Sequence, residues 1–158
     1  MSIVTDAIAA FTANLTRIVD APTGDLGFGS DLSCTDDITA DAAEIDGDSV
    51  LAVAQSNYRR LITPRGMVQD DPDYGTDLCT FLHEPMTQQR QQEVIGIIRS
   101  ELLKDDRNET IDVTVVAATL RTLALAVNGT TATGDFSLTM ALTDGQVLLK
   151  ELVANGNA

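Results

Sequence analysis

Residues 108–152 read NETIDVTVVAATLRTLALAVNGTTATGDFSLTMALTDGQVLLKEL. Ile111, Val113, Val115 and Ala117 alternate with Asp112, Thr114 and Val116. Leu123, Leu125 and Val127 repeat the pattern, as do Phe136, Leu138, Met140 and Leu142, and a shorter run covers Val147–Leu152. A period of two places successive side chains on opposite faces of a strand, so one face of each run is apolar and faces a core. Asn128-Gly129 and Asp144-Gly145 are turn signals that predict tight connections between successive strands, and short connections make the neighbours antiparallel. The other face carries Thr114, Thr122, Ala124, Ala126, Ser137, Thr139, Ala141 and Thr143. With so few charges along them, the sheet's edges are weakly guarded against the addition of a further strand.

Upstream the period changes to that of a helix. Val94, Ile95, Ile97, Ile98 and Leu102 form the apolar stripe of a helix expected from Thr87 to about Lys104, whose first half, Gln88-Gln89-Arg90-Gln91-Gln92, is polar. Val50, Val53, Ala54, Tyr58, Leu61 and Ile62 predict a second helix over 49–62, capped by Asp48 or Ser49 and stopped by Pro64. Between them Pro64, Gly66, Pro72, Gly75 and Pro85 punctuate an ordered loop region. Near the start, Ile8, Phe11, Leu15 and Ile18 predict an amphipathic helix that packs on the body or docks in a partner's groove. The expected fold class is therefore α+β, an antiparallel C-terminal sheet of three to four strands packed on two or three helices. The organisation reads as an N-terminal amphipathic helix (1–20), an acidic glycine-containing loop (21–48) and a main domain (49–158).

Charge narrows the function classes. The 158-residue chain has a net charge of −14, and residues 1–58 hold ten acids against one base, Arg17. Nine of those acids fall between Asp20 and Asp48 with no base among them, as in a solvated, self-repelling loop. Nucleic acid is a poor partner for such a chain, because phosphate contacts need cationic surface. No apolar run approaches the roughly 18 residues of a membrane span, and the first residues lack the pattern of a secretory signal. Cys34 and Cys79 are too few for a disulfide scaffold and read as reduced thiols of a cytosolic-type protein.

The chemistry-bearing residues form no constellation. His83 stands alone, so no metal is expected, and Asp46-Gly47-Asp48 lacks the alternate-position oxygen ligands of a calcium loop. Gly24, Gly27 and Gly29 are surrounded by acids, which would repel a phosphate. Cys79, His83 and Glu84 could combine as nucleophile, base and orienter but match no local signature. A pair of carboxylates for glycosidic cleavage is compatible with so acidic a chain, yet there is no Trp and only Tyr58 and Tyr74 to stack on a sugar. No cofactor is expected.

One stretch carries a family resemblance. A helix ending in Arg59-Arg60-Leu61-Ile62-Thr63 leads to Pro64-Arg65-Gly66. Asp71-Pro72-Asp73-Tyr74-Gly75-Thr76-Asp77-Leu78 and Leu82-His83-Glu84-Pro85 follow, then a helix, Asp105-Asp106-Arg107 and an alternating strand. This order resembles the baseplate wedge or sheath-initiator family of contractile phage tails, which includes a subunit of type VI secretion baseplates. The resemblance spans about residues 49–153, with Asp73, Tyr74, Gly75 and Leu78 marking the family's turn segment. Its Glu-Pro-Arg motif corresponds by position to Asp105-Asp106-Arg107, which keeps the acid and the arginine and lacks the proline. Glu84-Pro85-Met86 looks like that motif but precedes the helix instead of the strand.

The resemblance implies a structural protein and no enzyme. Asp105, Asp106 and Arg107 would dock on baseplate wedge proteins, and the sheet would exchange a strand with the tail sheath protein, through Phe136, Leu138, Met140 and Leu142. It further implies the tail tube initiator as a neighbour, several copies (six) per baseplate, no nucleic-acid or membrane partner, and a place in the virion's tail baseplate after assembly in the host cytoplasm. Some members of the family carry the label acidic lysozyme. The alternative reading is accordingly a peptidoglycan-cleaving hydrolase, for which Glu84 would be the proton donor.

Overall fold

The structure, a computed structural model, describes residues 27–33, 44–82, 85–119, 121–143 and 146–156. The amphipathic helix expected at 5–19, and with it most of the acidic stretch, lies outside the described residues, as do Cys34, His83 and Glu84.

Two short strands, β1 (Ser30–Leu32) and β2 (Glu44–Asp46), pair antiparallel with Asp31 opposite Ile45. The acidic stretch is therefore not loop throughout. Strands of three residues are too short to show a period, so nothing in the charge pattern announced them.

Helix α1 (Val50–Ile62) starts where Ser49 Oγ accepts the Ala52 N–H at 3.2 Å. It stops at Thr63, whose N–H and hydroxyl both bond the Arg59 carbonyl, and Pro64 cannot continue it. A 3-10 turn follows at Leu78–Phe81. Helix α2 (Gln88–Leu102) is capped by Thr87, where the sequence places its start, and buries Val94, Ile98 and Leu102.

Strands β3 (Asn108–Ala118), β4 (Thr122–Thr131), β5 (Gly134–Thr143) and β6 (Gln146–Gly156) form a meander in the order β3-β4-β5-β6, antiparallel throughout. Helix α1 lies over β5 and β6, and α2 over β3. The fold is α+β, with both helices on one face of the sheet. The core lies between those layers. Leu123, Leu125, Val127, Leu138, Met140 and Leu142 from the sheet meet Val53, Leu61, Val94, Ile98 and Leu102 from the helices. Each such side chain contributes roughly 1.5–3 kcal/mol by leaving water.

One expected turn is not a turn. Asn128-Gly129 sits inside β4, paired to Asp112 and Ile111 on one side and to Ser137 and Phe136 on the other. The actual connection is Ala132-Thr133, between the paired Thr131 and Gly134. Gly129 is needed for another reason: a Cβ there would collide with the ring of Phe136 and come 2.9 Å from Ile111 Cδ1. The glycine makes room for an aromatic ring in the core. Asp144-Gly145 lies outside the described residues, between the paired Thr143 and Gln146. The last strand is also longer than its apolar run, because Val153, Asn155 and Gly156 pair without adding to the core.

Candidate functional site

Two polar knots hold the Asp73–Leu78 segment and the Asp105–Arg107 motif, and the inner strand β5 holds Phe136, Leu138, Met140 and Leu142. The first knot is centred on Glu101, in the last turn of α2, whose side chain is 1% exposed. Its carboxylate accepts from Arg60 Nη1 at 3.0 Å, Arg65 Nη2 at 3.1 Å and the Gly75 N–H at 3.1 Å, and it pairs with Lys104 Nζ at 2.7 Å. Burial by itself would raise the carboxyl's pKa. The hydrogen bonds from Lys104, Arg60 and Gly75 outweigh it, so Glu101 stays ionised below the usual glutamate range.

This knot assembles the Asp73–Leu78 segment. Lys104 Nζ donates to the Asp73 carbonyl at 2.8 Å, and the Tyr74 ring lies under the Arg60 guanidinium at 4.3 Å. Thr76 N–H and Oγ1 bond the Thr63 and Leu61 carbonyls, both at 2.9 Å, and Leu78 is buried in the core. Gly75 has φ +94°, and a Cβ on it would collide with the Thr63 carbonyl oxygen. The segment therefore acts as a strap across the C-terminal end of α1. No spacing rule links Glu101 to residues 26 to 41 positions away, and on sequence alone it reads as a solvated helix acid.

The second knot holds Arg107. Its Nε and Nη2 form a bidentate pair with Asp105 at 2.9 and 2.6 Å, while Nη1 donates to the Gly47 carbonyl at 2.8 Å. The Phe28 ring stacks 4.8 Å from the guanidinium. Hydrogen bonding to Asp105 raises the Arg107 pKa, and the same arginine outweighs burial to hold the Asp105 carboxyl low. Asp106 points to solvent. Beside this knot Asn57 and Asn108 exchange two amide hydrogen bonds of 2.9 Å, and Asn108 Nδ2 also reaches the Leu102 carbonyl at 2.8 Å. Both asparagines are buried, and they bolt α1 to the start of β3. Asp105 and Arg107 thus bond each other, with most of the guanidinium engaged inside the chain, whereas the resemblance turns both toward a partner.

Phe136, Leu138, Met140 and Leu142 lie elsewhere than strand exchange requires. They are the inward residues of β5, none more than 3% exposed, and β5 is paired on both sides. An incoming strand has no free hydrogen-bonding groups to meet there. The edges of the sheet are β3 and β6, and no described residue pairs with the outer side of either. β6 exposes Leu148 and Val153, β3 exposes Val116 at an irregularity opposite Leu125 and Ala124, and the only base on either strand is Lys150.

Among the described residues no three His, Cys, Asp or Glu side chains are arranged to hold a metal. Burial pushes the Cys79 thiol's pKa up, with Asp77 adding to the rise, so it is a poor nucleophile. No described helix is long and apolar enough to cross a membrane. Neither a family model nor a curated protein sequence matches the chain.

Proposed function

We propose that this chain is a structural component of a contractile-tail baseplate, one that docks on wedge proteins and starts sheath assembly by pairing a strand with the first sheath ring. Its place would be the tail baseplate of the virion, with assembly in the host cytoplasm. The observation that carries the reading is the open sheet: two eleven-residue edge strands with little charge to guard them. Such an edge is an aggregation hazard in a protein that works alone, and a template in one that works by strand addition. Strand addition supplies a row of backbone hydrogen bonds, which suits a joint that must carry load. The exchanged strand pairs with the β6 edge, which exposes Leu148 and Val153. The Asp105–Arg107 pair, set at the entry to the sheet, is the docking point for the wedge proteins.

The test is assembly of the tail with Leu148→Lys plus Val153→Lys, since lysine is the residue with which natural edges are blunted. Truncating β6 would not serve, because Val147, Leu149, Leu152 and Ala154 pack against the core. Particles carrying the double variant should show baseplates with few or no sheaths by electron microscopy, while the purified variant melts within a few degrees of the parent. Full-length sheaths on those particles would overturn the strand-pairing role. Clearing of purified cell walls by the parent chain would overturn the structural reading in favour of a hydrolase acting through Glu84.

A further inference from the structure

The β1–β2 pair, with Phe28 and Gly47 at its ends, sits on Arg107, and its attachment differs from that of every other described element. No described residue from 27 to 48 belongs to the hydrophobic core. What holds the pair down is polar: Arg107 Nη1 to the Gly47 carbonyl, Arg107 over the Phe28 ring, the Arg59–Asp31 ion pair, and Thr133 Oγ1 to the Asp48 carbonyl at 2.9 Å. Phe28 is 57% exposed, and both partners of the ion pair are about one-third exposed, so water and salt compete with these contacts. Units with few buried apolar contacts open at free energies well below that of the whole domain. Arg107 itself is anchored differently. Its bidentate bond to Asp105 lies within the 105–107 turn and does not depend on β1–β2.

We infer that the β1–β2 pair is a displaceable cover on Arg107, one that lifts while the Asp105–Arg107 fork stays in place and so presents Nη1 and one face of the guanidinium to a carbonyl oxygen of a partner. The partner's carbonyl takes the place of the Gly47 carbonyl, so the fork is offered already oriented. A 340 Å³ cleft lined by Phe28, Arg107, Glu109 and Thr133 adjoins the guanidinium and is where such a segment enters. The role of the partner rests on the docking function proposed above, whereas the cover does not.

The test needs no partner. The purified full-length chain is treated with phenylglyoxal, and labelling of Arg107 is followed by mass spectrometry against the exposed Arg99 and Arg121. In the parent, Arg107 should react roughly tenfold more slowly than Arg99. Phe28→Ala with Asp31→Asn, both surface changes, should speed Arg107 labelling about five- to tenfold, since each removes one weak contact. Rates at Arg99 and Arg121 should not change. Amides of 30–32 and 44–47 should exchange hydrogen well ahead of those of β4 and β5. Equal labelling of Arg107 and Arg99 in the parent, unchanged labelling in the variant, or exchange of the cover in step with the sheet would each overturn the inference. If labelling responds as stated but Arg107→Ala leaves tail assembly intact, the cover stands and the docking role falls.

Discussion

Glu101 shows how a buried charge can organise a surface strap. One carboxylate meets three cations from three places in the chain, Arg60, Arg65 and Lys104, and takes the Gly75 amide as well. Glu101→Gln keeps the shape and removes the charge, leaving three cations around a neutral acceptor. Buried ion pairs broken on one side cost about 3–5 kcal/mol, and Arg65 and Lys104, each more than 40% exposed, can turn to water, so about 2 kcal/mol is the expected loss. An unfolding free energy lowered by that amount in urea, with faster proteolysis in 66–77 than elsewhere, would bear this out. An unchanged midpoint would mean that the knot only decorates the strap. The Asn57–Asn108 pair is of the same kind, two polar side chains at core positions that each satisfy the other. Neither knot was legible in the sequence. An asparagine on the inner stripe of a helix and a glutamate near its end acquire meaning only when partners 26 to 51 positions away arrive.

At the scale of elements, apolar period worked well wherever a run was long. It placed α1, α2 and the four sheet strands, and Ser49, Thr87 and Pro64 set the helix ends as expected. Turn chemistry worked less well. Asn-Gly is the pair most at home in a two-residue hairpin, yet Asn128-Gly129 runs straight through β4 because Phe136 occupies the space a side chain would take. Gly129→Ala should therefore cost about 2 kcal/mol by forcing the ring aside, although alanine suits a strand as well as glycine does. Calorimetry of this variant checks the point, and a melting temperature within a degree of the parent's would show that the ring can move freely. Inner and outer strands could not be told apart from the pattern either. Phe136, Leu138, Met140 and Leu142 make a strongly apolar run, and β5, like β4, is enclosed between two neighbours and has no edge to offer a partner.

For the molecule as a whole, Arg59, Arg60, Arg65, Lys104 and Arg107, half of the ten bases, are engaged in ion pairs within the chain. Asp31, Glu101 and Asp105 are held below their ordinary values, 4.5 for the glutamate and 3.8 for the aspartates, by those cations. A group whose pKa is lower in the folded state contributes its full stability above the ordinary value and loses it as pH falls through the folded one. The melting temperature should thus be insensitive to these three groups from neutral pH down to about pH 5 and fall progressively below about pH 4.5. Glu101→Gln should show a shallower fall over the same range, measured in about 0.15 M salt to screen the general repulsion. Parallel curves for parent and variant would remove Glu101 from the account of acid sensitivity.

Alternation, helical period and end signals are local properties, written in residues within one or two turns of each other, so the α+β class and the order of α1, α2 and the four strands β3 to β6 followed from the chain alone. The acidic excess and the missing metal and catalytic spacings were equally local. The tertiary structure decided what lies far apart in sequence. It closed three cations on Glu101, seated a phenylalanine over a glycine, laid β1–β2 on Arg107, and left β3 and β6 at the edges with β5 between them. Those outcomes depend on which surfaces meet when the helices settle on the sheet, and no window of neighbouring residues contains that information.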